Sequence, residues 1–313
     1  MPEPIICVAG PTGCGKTALG VALAKRFGGE VVSADSMQIY RGMSIGSAAP
    51  TPDETQGVPH YMIAVADPSE SWSVARYVGA ATPIIDDILS RGKRPFLVGG
   101  TGLWMEAVFR QGGFAPGQSG GQVRRQLEAE LKRDGIEPLL RELREADPAA
   151  AHRLHASDEK RILRALEVYR ETGKTITEHN EATKALPPRY RALWLGLRYQ
   201  DRDEMKAALD RRVDAMMEAG LLEEVKALAA SAPRSATALQ AIGYKELLPV
   251  LDGEKTLADG IAEVKLRTRQ YAKRQLTWFR RNPEIYWLER REGQDFSELV
   301  QISTDYLLKN GVC

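Results

Sequence analysis

Residues 10–17 read Gly-Pro-Thr-Gly-Cys-Gly-Lys-Thr and meet every fixed position of the pattern G-x-x-x-x-G-K-[ST]. No other stretch constrains the chain so tightly, because such a loop is built between a buried strand and a helix. Both neighbours are legible. Pro4 to Ala9 is a short apolar run that predicts a buried strand, and Ala18 to Phe27 predicts a helix whose N-terminus faces the loop. The glycines let successive N–H groups turn inward on an oxyanion. Lys16 adds positive charge to terminal phosphates, and the Thr17 hydroxyl is placed to hold Mg²⁺. The candidate phosphate site is therefore Gly10, Pro11, Thr12, Gly13, Cys14, Gly15, Lys16 and Thr17. ATP, another nucleotide or a different diphosphate would all satisfy it.

Further strands are predicted at Glu30–Ala34, Arg94–Val98, Ala192–Leu197 and Ile285–Leu288. Helices are predicted at Val74–Arg91, with Pro83 as a kink or break, at Arg202–Ala219 and from Leu257 to about Arg281. Strands alternating with helices imply a parallel sheet covered on both faces, with ligands beyond the carboxyl ends of the strands. That rule gathers the phosphate loop, Asp35 and Thr101 at one edge. The stretch from about 113 to 188 shows only helical spacing and follows a Gly- and Pro-rich segment at 111–121. The expected fold is α/β: a P-loop NTPase-like parallel core (1–112 and 189–313) with an all-helical insertion (113–188).

Basic and acidic residues balance at 43 and 42, so net charge argues neither for nor against nucleic acid. Its distribution is more telling. Lys265 to Arg281 carries seven basic residues, no acidic one, and Tyr271, Trp278 and Phe279 between them. Such a run suits a polyphosphate backbone with bases nearby, although a basic surface helix packing its aromatics inward would look the same. Asp35, just after the second strand, is placed either to cap a turn or to act as a general base. Thr101 could bond a phosphate oxygen or cap the next helix. The Gly-Gly-Thr-Gly strand end lacks the acidic residue that many nucleotide hydrolases place on Mg²⁺. Three cysteines without metal-ligand spacing suggest a reducing compartment, and no apolar run reaches the roughly 20 residues of a membrane span. With the first strand beginning almost at once, no targeting peptide is expected, and the cytoplasm is the expected location.

Six segments in order resemble the tRNA dimethylallyltransferase family. They are residues 10–17, Ser-Ala-Asp-Ser-Met-Gln-Ile-Tyr (33–40), Val-Gly-Gly-Thr-Gly-Leu (98–103), Arg-Ala-Leu-Glu-Val (164–168), Gln-Ala-Ile-Gly-Tyr-Lys-Glu (240–246) and Lys-Arg-Gln-Leu-Thr-Trp-Phe (273–279). The resemblance covers nearly the whole chain. It implies transfer of a dimethylallyl group from its diphosphate to N6 of the adenosine 3′ to the anticodon. It further implies Asp35 as base, Thr101 and Arg212 assisting the leaving diphosphate, and Mg²⁺ on Thr17. tRNA contacts are implied at Asp35, Ser36, Met37, Gln38, Thr101, Arg124, Lys160, Arg161, Arg164, Gln240, Gly243, Tyr244, Lys245, Lys273, Arg274, Gln275, Trp278 and Arg280. The insertion would grip the anticodon stem-loop, and the form is the bacterial, monomeric one, with no membrane attachment and no obligate protein partner. Cys14 and Trp104 stand where the family often has Ser and Tyr. A small-metabolite kinase, a transferase acting on free adenine nucleotides and a non-enzymatic RNA-binding module are the competing readings.

Overall fold

The computed structural model describes residues 3–110, 121–291 and 293–313. They form two compact units, one of residues 1–109 with 190–313 and one of residues 110–189. The Gly- and Pro-rich stretch at 111–120 lies outside the described residues.

The larger unit is built on six strands: β1 (Ile5–Ala9), β2 (Gly29–Ser33), β3 (His60–Tyr61), β4 (Arg94–Gly99), β5 (Ala192–Tyr199) and β6 (Ile285–Arg290). All pair in parallel in the order β3-β2-β4-β1-β5-β6. β1 is central, which is why all five of its residues are buried. Its alternation divides the core. Ile5, Cys7 and Ala9 face one apolar cluster, with Leu97, Tyr77, Ile85 and Phe279. Ile6 and Val8 face the other, with Phe96, Leu19, Leu23 and Leu299. The first cluster is covered by the Val74–Ser90, Gly102–Val108 and Leu257–Phe279 helices. The second is covered by the Lys16–Arg26 and Phe296–Lys309 helices. The strand order turns at β1, so the loop after it opens at the point where a parallel sheet forms its crevice.

Several boundaries differ from the sequence reading. Val74–Ser90 runs as one helix with Pro83 inside it, so of the kink or break expected there the break does not occur. β3 is only two residues long and rests on its pairing with Val31 and Val32, which no local pattern announces. The Leu221–Ser231 and Phe296–Lys309 helices are additional.

Among the described residues the regular elements of the smaller unit are all helices: Gln122–Asp134, Ile136–Ala146, Pro148–Arg153, Glu159–Thr172 and Ile176–Lys184. Leu127, Leu140, Leu143, Ile162 and Leu166 form its core. Asp147 fastens it by accepting from Ala150 N (2.9 Å), Thr177 N (3.1 Å) and the Thr177 hydroxyl (2.8 Å).

Candidate active site

The phosphate loop joins β1 to the Lys16–Arg26 helix. Gly15 precedes the helix with φ of 96°, a conformation that costs glycine nothing and other residues dearly. Thr12, Gly13, Gly15, Lys16 and Thr17 line a cavity of about 550 Å³ at the carboxyl ends of the strands. Gly10, Pro11 and Cys14 lie behind it. The buried Cys14 thiol donates to Pro11 O at 2.9 Å, so it supports the loop from within. Lys16 Nζ donates to the same carbonyl at 2.8 Å.

Asp35, Ser36, Met37 and Gln38 form the next stretch of wall. Asp35 Oδ1 accepts from Met37 N at 2.9 Å, while Oδ2 has no partner among the described residues. One oxygen thus holds the turn, and the other is left for a ligand or solvent. Gln38 is fixed by Ser33 Oγ on its carbonyl (2.8 Å) and by Ala48 O on its amide nitrogen (3.0 Å). Thr101 does not cap its helix with its side chain. Its hydroxyl accepts from Ser36 N at 3.0 Å and donates to Ser36 Oγ at 3.3 Å, so it braces the wall behind Asp35.

Arg212, from the Arg202–Glu218 helix, adds another cation to the cavity lining besides Lys16. It makes no hydrogen bond or ion pair among the described residues. Burial lowers its pKa from the usual guanidinium value, against the pull of Asp35. A guanidinium so placed stays charged and makes no direct ion pair, which leaves its donors open to an anion.

The opposite wall is made by Gln240, Gly243, Tyr244 and Lys245 together with Tyr271 and Arg274. Tyr244 is fully buried, so it shapes the cavity and does not reach outer surface. Its hydroxyl donates to Glu224 Oε1, and Glu224 also accepts from Ile45 N and Gly46 N, each at 2.9 Å. Tyr271 was legible only as an aromatic within a basic run. It is a cavity residue whose phenol burial keeps protonated. Glu224 gave no signal, because in the first turn of the Leu221–Ser231 helix, next to Glu223, it looks like an ordinary N-terminal helix charge.

The basic run is less uniform than its sequence. Lys265, Arg267 and Arg269 pair with Asp214, Glu263 and Asp210. Lys273, Arg274 and Arg280 are exposed and have no acidic partner among the described residues. Trp278 is half-buried and donates to Glu106 Oε1 at 2.8 Å. Gln275, expected among the RNA contacts, is instead buried, with both ends of its amide engaged inside the fold. In the smaller unit, Lys160, Arg161 and Arg164 line one groove with Arg153, whereas Arg124 stands apart and pairs with Glu128.

Thr17 lines the cavity, and its hydroxyl has no partner among the described residues. No group of three or more acidic, His or Cys residues could hold a metal there among them. Such a donor set fits Mg²⁺ held mostly by phosphate oxygens and water, with one hydroxyl from the protein.

A phosphate loop, an arginine without a hydrogen-bond partner and a free carboxylate oxygen around one cavity define a P-loop protein equipped to bind a phosphorylated ligand. The comparisons specify the class further. The IPP transferase family profile matches residues 38–282, and the isopentenyl transferase profile matches residues 4–65. A tRNA dimethylallyltransferase from Halalkalibacterium halodurans is 43% identical over 302 residues, covering 96% of each chain. The crystal structure of the full-length tRNA isopentenylpyrophosphate transferase from Bacillus halodurans superposes with a TM-score of 0.73 at 41% identity, covering 98% of this chain and 96% of that one. A eukaryotic dimethylallyltransferase caught acting on tRNA superposes with a TM-score of 0.83 at 30% identity, over 98% of this chain and 80% of that one. The chain belongs to the IPP transferase family. Among the described residues no helix is long and apolar enough to cross a membrane.

Proposed function

We propose that the protein transfers a dimethylallyl group from dimethylallyl diphosphate to N6 of the adenosine 3′-adjacent to the anticodon in tRNA, releasing diphosphate. The observation that carries this reading is the pairing, on one cavity, of the unpartnered Arg212 with the free Oδ2 of Asp35.

The chemistry follows from the nucleophile. The exocyclic amine of adenine is weak because its lone pair is delocalised into the ring, so the electrophile must be activated. Lys16, Arg212 and the N–H groups of Gly13 to Thr17 hold the diphosphate and stabilise charge as the carbon–oxygen bond breaks. Mg²⁺ on Thr17 would supply further neutralisation of the leaving group. Asp35 takes the N6 proton as the new carbon–nitrogen bond forms, and Thr101 keeps the Asp35–Ser36 turn in place through Ser36. An adenine stacked in the anticodon loop must be extruded to enter the cavity. The exposed Lys273, Arg274 and Arg280 suit the RNA backbone, and so does the basic groove of the helical unit. A monomer acting in the cytoplasm accords with this reading.

Incubation of unmodified tRNA with the protein and dimethylallyl diphosphate tests the proposal. Nucleoside mass spectrometry is expected to find one added C5H8 unit on the adenosine beside the anticodon. Turnover of ATP with no prenyl transfer would refute it.

A further inference from the structure

The amide of Gln275 spans two loops that are far apart in the chain. Its Oε1 accepts from the Thr12 N–H at 2.9 Å, and its Nε2 donates to Gly100 O at 2.9 Å. Only 5% of the residue is exposed. The fit depends on glycine, because a Cβ at position 100 would lie 2.2 Å from the Gln275 nitrogen. One side chain therefore ties the start of the phosphate loop to the loop after β4, the loop that carries Thr101.

The same side chain belongs to the Leu257–Phe279 helix, whose exposed face holds Lys273 and Arg274 immediately before it. Tyr271, one turn earlier, lines the cavity. We infer that Gln275 is a positioning residue that sets the phosphate loop from the RNA-facing helix, so that occupancy of the loop and the position of that helix are linked. The inference rests on the proposed role of the loop as diphosphate site. Both halves of the amide are required. A carboxylate could accept from Thr12 but could not donate to Gly100, and a thioether could accept only weakly and could not donate. The Thr12 N–H is already committed to Gln275, which leaves the amides from Gly13 onward to meet phosphate oxygens. Linkage is reciprocal: if the helix shifts on RNA docking, diphosphate affinity changes, and diphosphate changes RNA affinity by the same factor.

The test uses the full chain with Gln275→Met, which keeps length and removes both bonds, and Gly100→Ala, which displaces the amide from the other side. Inorganic diphosphate binding without tRNA is measured by calorimetry, and KM for dimethylallyl diphosphate and for tRNA by initial rates. Both variants are expected to weaken diphosphate binding and raise that KM about tenfold, while tRNA affinity measured without diphosphate stays within about twofold. In wild type, tRNA is expected to alter diphosphate affinity, and in Gln275→Met that effect is expected to disappear. Unchanged diphosphate binding in a folded variant overturns the inference, as does a rise confined to KM for tRNA, which would mark a direct RNA contact. Should one variant fail to fold, the other still decides. Failure of the underlying reading looks different, since wild type and Lys16→Ala would then bind diphosphate equally.

Discussion

The amino ends of the strands and the cavity at their carboxyl ends treat charge in opposite ways. At the amino ends of the strands, charged groups are matched. Glu30, 1% exposed at the start of β2, takes Arg91 and Lys93 at 2.7 Å and the Tyr61 hydroxyl at 2.9 Å. Arg94 pairs with Glu3 and also donates to Cys313 O. At the carboxyl ends, Arg212, Asp35 Oδ2 and the Thr17 hydroxyl are left without partners among the described residues. One end uses polarity to hold the fold, and the other leaves polar groups unpaired around a cavity. Function in this molecule is visible as charge that folding did not neutralise.

Substitutions at the two ends should therefore separate activity from stability. Asp35→Asn is expected to lower kcat by about 10²–10⁴ while thermal denaturation is unchanged, as a general base requires. Prenyl transfer at near wild-type rate would break the contrast at its strongest point. Arg212→Ala and Lys16→Ala are each expected to cost about 10²–10³ in kcat/KM for dimethylallyl diphosphate, again with little change in Tm. At the other end, Glu30→Gln should lower stability by about 1–2 kcal/mol, allowing for the screening of its partly exposed cations, and leave kcat/KM intact. Denaturant titration alongside kinetics checks it.

Acid sharpens the same comparison. Hydrogen bonding from Arg91, above all, holds the Glu30 carboxyl down to about 2 from its ordinary 4.5. Because the folded value lies below the unfolded one, this stabilisation is complete above about pH 4.5 and is lost as pH falls toward 2. Wild type should lose stability across that window more steeply than Glu30→Gln. The smallest effect is expected from Glu224→Gln, which keeps shape but weakens its bonds to Ile45, Gly46 and Tyr244. A rise of a few-fold in KM for tRNA with little change in kcat is the expected result.

Much of the reserved end was legible in the chain. The loop pattern, Asp35 after β2 and the glycines after β4 each announce themselves locally, and the parallel-sheet rule brings them to one edge. What was not legible depends on contacts between elements. The cations at 265, 267 and 269 belong to a run with no acidic residue within it, yet carboxylates from a neighbouring helix and from the preceding turn neutralise them. Gln275 read as part of an RNA-binding strip, although Ala272, Gln275 and Phe279 form the buried stripe of that helix. The spacing was available, but a polar residue in a basic run draws the eye to solvent. β3 could not be read at all, because two residues carry no period.

Position 100 can be bare only because position 275 fills the space, and the amide at 275 has its acceptor only because the chain there runs bare. Neither is free to drift alone. A library randomised at both should return the two as an inseparable couple, so that what is inherited there is a fitted joint and not two independent letters.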